Sequence, residues 1–522
     1  MRHLFRNLPR LSYQAYFLVQ VAVVIIGLGF AAGMLVFQLS DRDDPMDALQ
    51  LNSLFEFSPD GDEMLNVMHP AWSTSEEFGD YLGYLANMAE FYANDTLIAE
   101  ANASNFSEEQ KEIARLMLIS FRQGHADNTL LQLSEQSPPT PYANFALGEF
   151  WSQQGFLLDA GRAFEAEAQL SGDNDDRERA VDCYLEREST DDLVRLLDTP
   201  NYQHLLVEER EYIRHLQAIQ ERDWPQIILT TVVLQYDSIV WQIALITLLT
   251  GAAWYVFLMH TADLWREPKA LALCAFVLVL GAMSAFATLF AIIVQEDYLG
   301  FTEKYDLIGG LLYCVAGIGL REELLKLLFF TPMLPLLLRK KNSLLALVVA
   351  GCVGLGFAIE ENMSYFHSSN GMSGPARFLT ANFLHVSATA LTGFALYRAC
   401  LTRGRELDYF ATMFGLIVFA HGLYDAFLMV PELMDLSFFS MIIYVLMCYQ
   451  MFQILEEVKP SPHRRISLSF VFTVCLSTVF SICLGWATSL IGLSGLMLLG
   501  GSTVGVGVIV IVFFKIINEP VH

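Results

Sequence analysis

Uninterrupted apolar runs of about twenty residues recur through roughly the last three hundred positions of this chain, the length an α-helix needs to cross a bilayer's hydrocarbon core. They predict an all-α, polytopic membrane helical bundle. Spans are expected near 15–38, 239–259, 270–294, 307–338, 343–362, 378–400, 409–430, 436–455, 467–487 and 489–514. The segment 307–338 exceeds what one crossing needs, so it is tilted, broken, or continues into water. The last two spans are so close that they form either two crossings or one hairpin.

Charge orients the bundle. Arg2, Arg6 and Arg10 precede the first apolar run, and Asp41, Asp43, Asp44 and Asp47 follow it, which puts the N-terminus in the cytoplasm by the positive-inside rule. That run is too long for a signal-peptide core and reads as an uncleaved anchor. With ten spans, loops bearing Arg266 and Lys269, Arg339 to Lys341, Arg398, Arg403 and Arg405, and Lys459, Arg464 and Arg465 fall inside, as does Lys515. Loops with Glu296, Asp297, Glu432 and Asp435 fall outside. Both termini are then cytoplasmic, and the expected location is a bacterial cytoplasmic (inner) membrane.

The net charge of -26 has one source: residues 41–225 hold 38 Asp and Glu against 12 Lys and Arg, and the remainder balances at 19 against 19. An acidic surface of this kind argues against nucleic acid, whose backbone requires basic neutralisation. It suits a solvated helical domain outside the membrane. Within it, Leu147, Gly148, Trp151, Ala160 and Phe164 in 144–168 have the spacing of a tetratricopeptide helix pair. One such unit cannot bury its own face, so neighbouring helices must complete a stack; an ordinary helical bundle fits the same pattern. A solenoid-like surface would suit a protein or peptide ligand. Of the eight cysteines only Cys183 lies here, so no disulfide framework is read. The expected organisation is 1–40 tail and anchor, 41–225 acidic domain, 226–306 spans two and three, 307–430 a polar-bearing membrane core, and 431–522 C-terminal spans.

Charged groups cost several kcal/mol inside a bilayer unless they are paired or face a wet cavity, so those within the spans are functional candidates. Glu322, Glu323 and Lys326 form a Glu-Glu-x-x-Lys set in the fourth span. The i,i+3 and i,i+4 spacings bring both carboxylates to the amine, and two acids with one amine leave a carboxylate in excess, the group a general base requires. In the fifth span Phe357, Glu361 and Tyr365 share a stripe, while Glu360 reads as a polar exit from the membrane. His385 lies in the sixth span. In the seventh, His421 and Asp425 share a face, so the acid is placed to orient the imidazole. No serine or cysteine has a nucleophile-elbow setting, and the HExxH zinc-protease helix is absent.

These residues resemble the PrsW-type intramembrane proteases, relatives of the CAAX prenyl endopeptidases and bacteriocin-processing membrane enzymes. The likeness covers roughly Leu307 to Val430. The family's EExxK motif matches Glu322, Glu323 and Lys326, and its GFxxxEN motif matches Gly356, Phe357, Glu361 and Asn362. Its Arg and His match Arg377 and His385, and its final His-x-x-x-Asn/Asp pair matches His421 and Asp425. The resemblance implies hydrolysis of peptide bonds in membrane-anchored proteins near the outer face, as in a first cut of an anti-sigma-factor-like regulator. The acidic 41–225 insert is not part of that family core.

Two chemistries fit this residue set. In the preferred one Glu322 or Glu323 activates water with no cofactor, Lys326 tunes the pair, His421 donates to the oxyanion or leaving amine, and Glu361 and His385 complete the pocket. In the other, Glu361, His385 and His421 hold zinc. Two non-proteolytic readings also stand: an ion- or proton-coupled transporter, although no inverted repeat is found, and a catalytically silent receptor.

Overall fold

The computed structural model describes residues 8–39, 78–89, 91–237, 241–304, 306–368, 374–458, 466–496, 511 and 513–515. Among these the regular structure is helical throughout. The chain divides into a membrane unit, Met1–Phe55 with Ser238–His522, and a second unit, Glu56–Asp237.

The membrane unit begins with α1 (Ala15–Leu39). Among the described residues the second unit holds ten helices, α2 (Phe78–Met88) to α11 (Trp224–Asp237), including α6 (Ala143–Gln153), α7 (Leu157–Ser171) and α8 (Asn174–Glu186). Returning to the membrane unit, the chain forms α12 (Trp241–Thr261) and α13 (Pro268–Ile293), then a π-helical turn at Val294–Tyr298. There follow α14 (Leu307–Leu312), α15 (Leu320–Phe330), α16 (Leu334–Lys340), α17 (Ser343–Ser368), α18 (Gly374–Leu379), α19 (Ala381–Leu401), α20 (Leu407–Met429), α21 (Phe438–Val458) and α22 (Leu468–Ile491).

Eight of these helices are long and apolar enough to cross a membrane: α1, α12, α13 with its π-helical extension, α17, α19, α20, α21 and α22. They correspond to eight of the ten expected spans. The expected fourth span is broken. Asp306 caps its start, accepting from the Gly309 amide at 2.8 Å. A π-helical stretch at Tyr313–Gly319 then interrupts α14 and α15, and Thr331–Met333 tightens to a 3₁₀ turn. Pro332 and Pro335 lack the amide hydrogens that a continuous helix would use. Most of the expected tenth span lies outside the described residues, as do Arg2, Arg6, the acidic flank Asp41 to Asp47, and Lys459, Arg464 and Arg465.

α17 is the buried centre of the membrane unit, packed between α13 and α19. Glycine permits this: a Cβ at Gly354 would collide with the His385 carbonyl of α19, and one at Gly356 with the Leu278 carbonyl of α13. Small residues likewise let backbones of adjacent membrane helices approach. α17 also runs to Ser368, beyond the expected boundary at 362, so Glu360 is buried and is not the polar exit expected for it. α1 lies along α22, where Ser481 Oγ donates to the Ile25 carbonyl at 2.7 Å.

In the second unit α6 and α7 form a close pair, the Gly148 Cα facing the Phe164 ring, and Gly161 of α7 faces Tyr184 of α8 in the same way. Glu167 closes the start of α6 by accepting from the Tyr142 amide at 2.6 Å. The buried Glu149 pairs with the partly exposed Arg179. Burial pushes the Glu149 carboxyl up from its ordinary value despite Arg179, and burial raises Glu167 likewise.

Candidate active site

Four chain segments bring the intramembrane polar residues together. α15 supplies Glu322, Glu323 and Lys326, α17 supplies Glu361, α19 supplies His385, and α20 supplies His421 and Asp425. Close backbone contact sets the distance between the first and last. A Cβ at Gly319, one turn before Glu322, would stand 2.7 Å from the Val418 carbonyl, and one at Gly422 would strike the Val315 backbone.

Lys326 is the hub and is fully buried. Its Nζ donates to Glu322 Oε2 at 3.1 Å, Glu323 Oε1 at 2.9 Å and His385 Nδ1 at 2.8 Å, which uses all three of its hydrogens. The Phe357 ring lies beneath it, centroid at 3.9 Å. An ammonium only donates, so His385 Nδ1 accepts and the ring proton stands on Nε2. Nε2 then donates to Glu361 Oε2 at 3.0 Å. Arg377 holds the same carboxylate oxygen at 2.9 Å and stacks on the Tyr365 ring at 3.6 Å. The expected Phe357–Glu361–Tyr365 stripe thus becomes a carboxylate between two aromatic rings, each carrying a cation.

His421 differs from expectation. Asp425 does not orient it directly: their closest atoms, Asp425 Oδ2 and His421 Nε2, are 3.6 Å apart. The orienting carboxylate is Glu323, whose Oε1 lies 2.9 Å from His421 Nδ1. This leaves His421 Nε2 facing Asp425 and Glu322 Oε2, the latter at 3.7 Å. Such gaps are too long for direct hydrogen bonds and are suited to a bridging water. The Glu323 side chain is 0% exposed and Glu322 9%, against 24% for Glu361 and 19% for Asp425, which marks the accessible side of the cluster.

Asn382 was not singled out by sequence. Its Oδ1 accepts from Asn362 Nδ2 at 3.0 Å, and Asn362 Oδ1 accepts from Arg377 Nε at 2.6 Å. Its position three residues before His385 on one helix was the available signal.

Residues 267–451, within the membrane unit, match the model of the PrsW family of intramembrane metalloproteases. Over these residues the chain is similar to that family. The chain is therefore an intramembrane protease, with a multi-pass membrane fold and membrane proteins as its class of substrate. No match was found among the curated proteins or the solved structures.

The family's description raises the question of metal. Glu322, His385 and His421 offer ligand atoms within 4.8 Å of one another, a donor set that zinc accepts. His421 suits the task, since Glu323 on Nδ1 leaves Nε2 available, as second-shell carboxylates do in metal sites. His385 as arranged does not. One of its nitrogens receives a cation's hydrogen and the other donates to Glu361. Glu361, which belonged to the expected zinc set, is itself committed to Arg377 and His385. The residues as they stand do not fit a metal ion.

Proposed function

We propose that this PrsW-like protease hydrolyses peptide bonds of single-span, membrane-anchored proteins by a carboxylate-activated water, with Glu322 as general base. The observation that carries the assignment is the division of labour between the two adjacent glutamates. Glu323 is fully buried and spends one oxygen on both Lys326 and His421, so it positions. Among the described residues Glu322 is hydrogen-bonded by Lys326 alone, and its Oε2 stands 3.7 Å from His421 Nε2, close enough for one water beside them to touch both.

In the reaction, Glu322 takes a proton from the water, whose oxygen attacks the scissile carbonyl carbon. The resulting oxyanion is met by His421 Nε2–H of the imidazolium form, with Nδ1–H held by Glu323. The carbon–nitrogen bond then breaks, and the proton on Glu322 passes to the leaving amine. Lys326 keeps both carboxylates in place, and the Arg377–Glu361–His385 chain holds the other side of the ammonium.

The charge pattern of the loops supports an orientation in a bacterial cytoplasmic membrane with both termini cytoplasmic and the acidic domain outside. Cleavage then occurs at or just beyond the outer boundary of the substrate's span. The family likeness favours a regulator of the anti-sigma type, and the acidic helical domain is suited to recruiting it. The test compares new protein N-termini in membranes carrying the wild-type chain and the Glu322→Gln/Glu323→Gln variant. Wild-type-only termini near the outer ends of single-span proteins support the reading; identical termini at equal levels of folded protein overturn it.

A further inference from the structure

The three acceptors around Lys326 are the kind of oxygen and nitrogen ligands a divalent cation seeks, and two of them belong to Glu322 and His385, members of the convergent donor set. The ammonium sits where it satisfies Glu322, Glu323 and His385 together, with the Phe357 ring closing a further side. No hydrogen of Lys326 is left over, and neither nitrogen of His385 is free. A metal ion recruiting His385 would have to break the Lys326 bond or the Glu361 bond, and would then stand beside a like charge in a buried site, where repulsion is poorly screened.

We propose that the Lys326 ammonium is the resident cation of this centre, that it excludes a divalent metal, and that removing its charge converts Glu322, His385 and His421 into a zinc site. This rests on the metal-free hydrolytic reading and deepens it. Lys326 is a positioning residue here, fixing two carboxylates and one imidazole tautomer without touching the reacting atoms.

The experiment counts zinc. Full-length wild type, Lys326→Met and Lys326→Met/His421→Ala are purified from zinc-supplemented cells, and bound metal is measured by mass spectrometry beside a zinc titration against a chromophoric chelator. Wild type is expected to carry zinc well below one ion per chain. Lys326→Met is expected to hold one ion per chain, with apparent affinity raised about a hundredfold or more, and the double variant to lose it. Lys326→Gln is the second form if the methionine variant does not fold. One zinc ion per wild-type chain, released by His385→Ala, overturns the proposal irrespective of any Lys326 variant. A folded Lys326→Met or Lys326→Gln that gains no zinc overturns it too. Failure of the proteolytic reading shows up separately, as unchanged protein N-termini, and leaves the zinc counts untouched.

Discussion

Separating the two adjacent glutamates is the sharpest test of the site. Glu322→Gln keeps nearly the same volume and can still accept a hydrogen bond from Lys326, but it cannot take a proton from water. Loss of a general base costs about 10²–10⁴ in rate, with little change in stability, because the Glu322 to Lys326 contact at 3.1 Å is one of three that hold the ammonium. Glu323→Gln weakens two charge-assisted bonds of 2.9 Å, to Lys326 Nζ and His421 Nδ1. At about 1.5–3 kcal/mol each, the protein loses up to about 3–6 kcal/mol and His421 loses its orientation. Glu322→Gln should therefore be inactive and stable, and Glu323→Gln destabilised with residual turnover. The assay pairs quantitative profiling of new N-termini in membranes with thermal melting of the purified full chain. Glu322→Gln with activity within about tenfold of wild type, or an inactive Glu323→Gln that melts with the wild type, would refute the division of roles.

Other consequences follow from neighbouring contacts. Asn382→Ala strands the Asn362 amide and loosens Arg377, so turnover should fall by about tenfold, near 1.4 kcal/mol, with melting reduced; unchanged turnover in a folded variant would remove Asn382 from the supporting chain. Gly422→Val forces a side chain against the Val315 backbone and should cost at least about 1–3 kcal/mol along with activity, because it parts α15 from α20; a melting point and activity equal to wild type would contradict this. In the second unit, burial raises Glu149 and Glu167 in the folded state above the ordinary 4.5. Folding there takes up protons, so stability rises as pH falls through the raised values and levels off below about 4.5. Proteolysis within 143–186 of the full chain should accordingly slow as the pH is lowered from neutral toward about 4.5, and Glu149→Gln should flatten the trend. A membrane-impermeant carboxyl reagent should inactivate the enzyme from the outer side; inactivation only from the cytoplasmic side would reverse the proposed orientation.

Sequence revealed the spans because apolar length is a one-dimensional property, and the same was true of the polar residues, whose cost in a bilayer made Glu322, Glu323, Lys326, Glu361, His385, His421 and Asp425 conspicuous wherever they stood. What sequence could not supply was distance between helices. Reasoning from spacing within a helix paired His421 with Asp425, whereas the contact that orients the ring comes from Glu323 on α15, across the approach that Gly319 and Gly422 permit. The Lys326 to His385 bond was hidden for the same reason, since it joins α15 to α19. Glu360 misled because a polar pair near the end of an apolar run resembles an exit. Pro332 and Pro335 allowed a broken span at 307–338, but the π-helical stretch at Tyr313–Gly319 depends on packing against α20, which no local pattern reports.

The arrangement around Lys326 also bears on how a buried site of four carboxylates can serve catalysis. Before reaction, the ammonium is shared between two glutamates, and its field at a substrate carbonyl is largely offset by them. When Glu322 accepts the proton of the attacking water, one of those offsets disappears while Glu323 and His385 still hold Lys326 at 2.9 and 2.8 Å. The cation does not move, yet it becomes less compensated at the moment negative charge develops on the carbonyl oxygen. Stabilisation of this kind needs no reorganisation during the step, which is where preorganised sites gain most of their advantage. A lysine with a single carboxylate partner would instead follow its counter-charge or swing away once that partner was neutralised. Holding the ammonium from three sides lets Glu322 change charge without dismantling the centre, and this is a physical reason for two adjacent glutamates where a single base would be enough to activate water.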